Sequence, residues 1–205
     1  MKIISWNLLR LVGASPDEVA DLVAREAPDV LLMQEATAQI DRLPQIIGGH
    51  YMRRLLPGRV HGLAVWSRQR PVAAPTVVVL PQGSMFRRIG LVVDLGDFSV
   101  ANVHLSHGQV LNRRQLWRIA STLPPRAAVL GDFNLVGPCL LPGFRDVGPR
   151  APTHRAADMV PLRIDRCLAR GLDCLGTAVL GRASSDHHPI VVQLAATTPP
   201  LALAA

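Results

Sequence analysis

Short apolar runs that finish in polar side chains recur along this chain, and they limit its fold more than any other feature. Leu31-Leu32-Met33 runs into Gln34-Glu35, and Val100 to Val103 leads to His104. Ala127-Ala128-Val129-Leu130 leads into Gly131-Asp132-Phe133-Asn134, and Trp6 is followed by Asn7. Arg163-Ile164 leads into Asp165, and Asp186-His187-His188 precedes the run that starts at Ile190. Short apolar runs bounded by turn signals read as buried strands. Alternation along a strand places Asp132 and Asn134 on one face. Burying one such group without a partner costs about 1–3 kcal/mol, and more if it is charged. So many polar strand ends make sense if they converge on one wet, charged site at a shared sheet edge.

The remaining pattern fits that arrangement. Strands are predicted at Lys2–Trp6, Asp29–Met33, Gly62–Ser67, Thr76–Leu80, Ile89–Leu95 and Phe98–Leu105, with Gly96-Asp97 as a hairpin signal. Further strands are predicted at Ala127–Leu130, Arg163–Ala169, Leu175–Leu180 and Ile190–Leu194. A helix is expected after Ser15-Pro16-Asp17-Glu18, which supplies an N-cap, a first-turn proline and acids near the dipole, and Pro28 stops it. A second helix is expected over Gln109–Leu123, with Leu116, Ile119, Ala120 and Leu123 inward and Arg113, Arg114 and Arg118 outward. The stretch from Gly137 to Pro161 is rich in proline and glycine and reads as a long loop. Many strands with few helices give an α/β protein in which two packed mixed β-sheets are flanked by helices.

At 205 residues and 49% hydrophobic, the chain has the size of one domain with a real core, set here at residues 1–195 with a flexible tail at 196–205. No apolar stretch free of charge reaches the ~18 residues of a membrane helix, and the N-terminus carries no signal-peptide pattern. Cys139, Cys167 and Cys174 form no CxxC pair, which argues against both a disulfide framework and a zinc site and for a reduced, cytoplasmic setting; the chain is expected to be a monomer. The formal charge is +7, and Lys2 is the one lysine among 22 cationic residues. Arginine suits bidentate phosphate contacts. Between Arg42 and Val93 there is no acid at all but eight arginines, a segment read as a flank for phosphate.

The polar strand ends limit the chemistry. Glu35, Asp132, Asp186 and Asn7 offer hard oxygen donors, which suit Mg²⁺ or Mn²⁺ better than zinc. Two histidines titrate near neutrality, and Asp165 is placed to orient one of them. Taken singly, Glu35 reads as a solvated strand end, Gly-Asp-Phe-Asn as a turn, and the Asn102–His104 pair as structural. Together they read as a metal-assisted phosphoester hydrolase.

The same residues carry a resemblance. "ISWNL" at 4–8, "PDVLLMQE" at 28–35, "GLAVWSR" at 62–68, "ANVHL" at 101–105, "GDFN" at 131–134, "PTH" at 152–154, "RIDRCL" at 163–168 and "SSDHHPI" at 184–190 resemble, in order, the motifs of the endonuclease/exonuclease/phosphatase superfamily. That resemblance implies a four-layer α/β sandwich with its site at one end of the sheets. It implies Glu35 as principal metal ligand, with Asn7 close by and Asp186 completing the metal or phosphate environment. It implies Asp132 activating water, Asn134 holding a phosphoryl oxygen, His187 oriented by Asp165, and His104 assisting the phosphate or leaving group. Arg113, Arg68 and Thr153 join Asn134 as expected substrate contacts.

His104 stands where the abasic endonucleases carry tyrosine, so the chain is more similar to the branches with "THL" there. Deoxyribonuclease I-like enzymes pair that histidine with a glutamate before the "GLAVWSR"-type strand, and here the nearby positions hold Arg59, Val60 and His61. The expected activity is Mg²⁺-dependent phosphodiester hydrolysis on DNA or RNA. A phosphoesterase for an inositol phosphate or lipid head group is the alternative, and a non-catalytic nucleic-acid binder is a third reading.

Overall fold

A computed structural model describes residues 1–83, 87–156 and 159–197. Its elements run β1 (Lys2–Asn7), α1 (Pro16–Glu26), β2 (Val30–Ala36), a 3₁₀ turn (Ala38–Arg42), α2 (Leu43–Ile47), β3 (His50–Leu55), β4 (Gly62–Ser67), β5 (Thr76–Val79), β6 (Ile89–Asp94), β7 (Ser99–His104) and α3 (Gln109–Ala120). After them come β8 (Ala127–Asp132), β9 (Arg145–Asp146), β10 (His154–Ala156), β11 (Val160–Leu162), β12 (Asp165–Arg170), β13 (Leu172–Val179) and β14 (Ile190–Ala196). One six-stranded sheet has the order β13-β14-β1-β2-β4-β3 and the other β5-β6-β7-β8-β12-β9, with β10-β11 as a small hairpin.

The layers follow from alternation. Ile3, Val30, Leu32, Leu63 and Val65 of the first sheet meet Leu91, Val93, Val100, Leu130 and Cys167 of the second in one buried core. The alternate residues, Ile4, Trp6, Leu31, Met33 and Trp66, face outward and are covered by Val19, Leu22 and Val23 of α1 and by Leu43 of α2. On the other side Ala101, Val103 and Val129 are covered by Leu116 and Ile119 of α3. The result is a four-layer sandwich. Polar side chains pin its inner layer: Gln34 Nε2 donates to Ser5 Oγ at 3.1 Å and across the sheets to Asn102 Oδ1 at 2.7 Å. Asn102 Nδ2 returns bonds to the Met33 and Ala64 carbonyls, both at 2.9 Å. Asn102 is thus a clamp between the sheets.

Local chemistry sets the helix ends. Ser15 Oγ accepts from the Glu18 amide at 3.2 Å, and Glu18 Oε2 accepts from the Ser15 amide at 2.8 Å, a complete capping box. The second helix stops at Ala120, not at Leu123 as expected. There the Ser121 and Thr122 hydroxyls bond back to the Arg118 and Ile119 carbonyls at 2.8 and 2.7 Å, competing with the helical ladder. β3 was not legible because it is an edge strand of mixed polarity, His-Tyr-Met-Arg-Arg-Leu, without an apolar run. β13 begins at Leu172, three residues before the expected start at Leu175, because Leu175 sits at a register shift and is 69% exposed. The stretch from Gly137 to Pro161 is not wholly loop. It holds β9, β10 and part of β11, and Asp146 ties it down by accepting from Arg163 at 2.7 and 2.8 Å and from Arg166 at 3.0 Å. β14 ends at Ala196, one residue into the expected tail, and positions 198–205 of that tail lie outside the described residues. No helix among the described residues is long and apolar enough to cross a membrane.

Strand direction explains where the polar ends go. β1 and β2 are parallel, as are β7 and β8, so their C-terminal ends lie together in pairs. β12 runs antiparallel to β8 and β14 antiparallel to β1, so their N-terminal ends reach the same edges. The register sets His104 beside Asp132 and Asp132 beside Asp165.

Candidate active site

Asn7, Glu35, His104, Asp132, Asn134, Asp186 and His187 line one cavity of about 350 Å³ at this edge, together with Arg10, Arg59, His61, Arg87, Arg88 and His107. Ser5 and Leu130 point between the sheets, so two residues on Asn7 and Asp132 do the same and meet: Asn7 Nδ2 donates to Asp132 Oδ2 at 3.1 Å. Asp132 Oδ1 accepts from the Asn134 amide at 2.8 Å, and Asn134 Nδ2 donates to the Leu105 carbonyl at 3.0 Å. Asn134 therefore turns at φ 49°, a left-handed conformation that asparagine tolerates.

Glu35 arrives differently. Simple alternation would place it on the outer face with Met33. Between the Met33–Ala64 and Ala36–Gly62 pairs, β2 carries one extra residue, and Glu35 sits there at φ 56°. The bulge turns its carboxylate into the cavity, at a conformational cost of about 1 kcal/mol or more. There both oxygens accept from the Arg10 guanidinium, at 3.1 and 3.0 Å, and Oε2 also accepts from the Arg10 amide at 3.1 Å.

The buried dyad is His187 and Asp165, with Nδ1 to Oδ2 at 2.8 Å. His187 Nε2 then faces Asp132 Oδ2 at 3.8 Å and Asp186 Oδ1 at 3.9 Å. Burial works against a charged His187, but the Asp165 carboxylate, with Asp132 and Asp186 behind it, pushes its pKa up to about 9. Burial also raises Asp132, partly offset by the His187 charge. His104 Nε2 approaches Asp132 Oδ2 at 3.3 Å, while its Nδ1 has no hydrogen-bond partner among the described residues. Burial, reinforced by Arg88, holds His104 well below the usual histidine range. A neutral His104 beside a charged His187 separates the two imidazoles into different chemical tasks.

Three expected contacts fall elsewhere. Arg68 follows β4, which runs antiparallel to β2, so it lies at the far end of the sheet, where its Nη2 donates to the Pro28 carbonyl at 3.3 Å. Arg113 is exposed on α3 and does not line the cavity. Thr153 is fully buried and touches no open space. Its Oγ1 accepts from the Ile164 and Asp165 amides at 3.2 and 3.0 Å, so it fixes the strand that carries Asp165. Thr153→Val keeps the shape but strands two buried amides, each costing about 1–3 kcal/mol. The expected outcome in urea unfolding is a loss of about 2–4 kcal/mol. Of the acid-free segment, Arg59, His61, Arg87 and Arg88 reach the cavity, whereas Arg53 is held by Asp41 at 2.6 Å.

The family profile described as endonuclease/exonuclease/phosphatase matches residues 4–187. The chain belongs to that family. It is thereby a metal-dependent phosphoester hydrolase. No curated protein matches it in sequence. Among solved structures, an endonuclease/exonuclease/phosphatase from Beutenbergia cavernae DSM 12333 is 23% identical, with TM-score 0.77 over 98% of this chain and 73% of that one. D. rerio TDP2 complexed with single-strand DNA product is 16% identical, with TM-score 0.76 over 95% and 98% of the two chains. The mannosyl-6-phosphatase of Bacteroides thetaiotaomicron VPI-5482 is 17% identical, with TM-score 0.75 over 95% and 99%. These likenesses establish the fold.

The donor set of this family member suits a divalent cation. Glu35, Asp186 and the Asn7 amide oxygen line the same cavity, and Asp186 Oδ1 is buried without a hydrogen-bond partner among the described residues. Carboxylate and amide oxygens favour hard cations. Asn7 is held in place from both sides, since its Oδ1 accepts from the Leu9 amide at 3.2 Å and its carbonyl accepts from Ser185 Oγ at 2.7 Å.

Proposed function

We propose that the chain hydrolyses phosphodiester bonds of DNA or RNA with Mg²⁺, for which Mn²⁺ substitutes. The observation that carries this reading is the convergence of the His187–Asp165 dyad on Asp132 in a cavity walled by Arg10, Arg59, Arg87 and Arg88. Glu35, with Asn7 and Asp186, would hold the ion. When bound it polarises a phosphoryl oxygen and offsets negative charge as that charge develops. Asp132 takes the proton of the attacking water, a task suited to a carboxyl whose pKa is raised by burial. His187, held by Asp165 and charged, donates from Nε2 to the phosphoryl group. Asn134 Nδ2 keeps one hydrogen for a phosphoryl oxygen after bonding Leu105. His104 serves the leaving oxygen from beside Asp132. The arginine wall binds the backbone without reading its sequence.

Supercoiled plasmid is the first test. With Mg²⁺ the protein is expected to nick it, EDTA is expected to stop the reaction, and added salt is expected to slow it by about one power of concentration per phosphate neutralised. Intact plasmid in both Mg²⁺ and Mn²⁺ would refute the reading. A second reading, hydrolysis of a small or lipid-borne phosphate, is favoured by the modest cavity. Its described lining has no Phe, Tyr or Trp on which a base would stack. Release of inorganic phosphate or of a phosphorylated head group, without nicking, would decide for it.

A further inference from the structure

His154 belongs to none of the tasks above, yet it stands against the dyad. An antiparallel bridge sets its backbone opposite His187, and the two rings lie 4.4 Å apart, tilted at 51°. His154 Nε2 is 3.4 Å from Asp186 Oδ2, and His187 Nε2 is 3.9 Å from Asp186 Oδ1. One ligand atom from each of the three residues falls within 4.8 Å of the other two. These separations are long for hydrogen bonds. Tetrahedral bonds of about 2.0–2.2 Å from zinc to nitrogen and oxygen put neighbouring ligands roughly 3.3–3.6 Å apart, so the 3.4 Å pair fits a shared cation as it stands and the 3.9 Å pair fits after a shift of a few tenths of an ångström.

We propose that His154, Asp186 and His187 form a site for a borderline-soft divalent cation, with Zn²⁺ as its best-matched occupant, and that filling it silences the enzyme by tying up His187. Two imidazoles and one carboxylate leave a fourth tetrahedral position for water, a donor set unlike the oxygens around Glu35. The pre-arrangement is specific. Asp165 holds His187 Nδ1, which leaves Nε2 as the nitrogen that faces the site, and zinc binding there must displace its proton. The buried Oδ1 of Asp186 has no hydrogen-bond partner among the described residues, and the contact of Oδ2 with His154 Nε2 at 3.4 Å is one that a cation between the two groups would replace. A plain His154–Asp186 ion pair would orient Asp186 but would need neither His187 nor a tilted ring contact. The silencing half rests on the role given to His187 above. The binding half does not.

The test is calorimetric titration of Zn²⁺ into the full chain, kept in millimolar Mg²⁺ so that zinc cannot fill the Glu35 and Asn7 oxygens unopposed and must compete for Asp186, which both donor sets share. Wild type is to be compared with His154→Ala and His154→Asn, each checked for native circular dichroism. The expected result is one site in wild type, weakened at least about tenfold in both variants, as loss of a ligand should cost no less than loss of an outer-shell partner. Inhibition by zinc, read as each protein's rate relative to its own zinc-free rate, is expected to shift by the same factor. Equal affinity in wild type and variants would place the zinc elsewhere, at the Asp132–Asp165–His187 cluster or a cysteine, and would overturn the proposal. So would the absence of binding. Zinc uptake that depends on His154 in a chain with no nuclease activity would refute the nuclease reading and uphold the site. Uptake that leaves an active enzyme unslowed would overturn the silencing.

Discussion

His187→Ala is expected to lower kcat on plasmid by about 10²–10⁴-fold, the range for removing a positioned proton donor or acceptor. The same change has a second consequence. Asp165 is 1% exposed and would lose its imidazole partner, leaving a buried carboxylate whose Oδ1 already lacks a bond among the described residues. Removing one member of a buried pair costs about 3–5 kcal/mol. The two effects separate in the double variant His187→Ala with Asp165→Asn. A neutral amide in the same place is expected to restore most of the stability and none of the rate. Urea unfolding and single-turnover cleavage measure the two arms. A His187→Ala rate within tenfold of wild type would remove the dyad from the mechanism.

Gly131→Ala is expected to be among the most damaging small substitutions, at about 4 kcal/mol or more. Gly131 has φ 141°, and an added Cβ would lie 1.9 Å from the Val103 carbonyl oxygen. That atom is backbone of the parallel neighbour β7, so no rotamer change relieves the clash. The β7–β8 ladder would have to part at the step that aligns His104 with Asp132. Activity should therefore fall along with stability. Gly181→Ala is the control, since its added Cβ meets nothing within 4 Å, and its expected effect is within about 0.5 kcal/mol. Equal melting temperatures for the two variants would show that Gly131 is tolerant and the reading of this strand end mistaken.

The conformational demand at Gly131 was hidden in the sequence, where the glycine reads only as a strand-end residue. Alternation did place Asp132, and the apolar runs before Asn7 and His104 and after Asp165 reveal their strands because these strands are buried on both faces. Glu35 shows the limit. It lies in the cavity only through a bulge, and no glycine marks that bulge, since Glu35 itself takes the left-handed turn. Arg68 shows another limit: a run such as Gly62–Ser67 shows a strand but not its direction, and direction decides which end meets the site. Thr153 was legible as part of a motif but not as buried, because nothing in Pro-Thr-His says which way the threonine faces. Arg10 carries no local signal, and His154 was legible only as the last residue of Pro-Thr-His, without a role. Each matters through a partner far along the chain, Glu35 for one and Asp186 and His187 for the other.

The central claim is that this cluster hydrolyses a nucleic-acid phosphodiester with a divalent cation. The most direct measurement sets wild type and His187→Ala side by side on supercoiled plasmid and on a small phosphomonoester, both with Mg²⁺. Nicked plasmid from wild type only, with little phosphate released from the monoester, is the predicted result. Intact plasmid alongside rapid phosphate release from the monoester would contradict it.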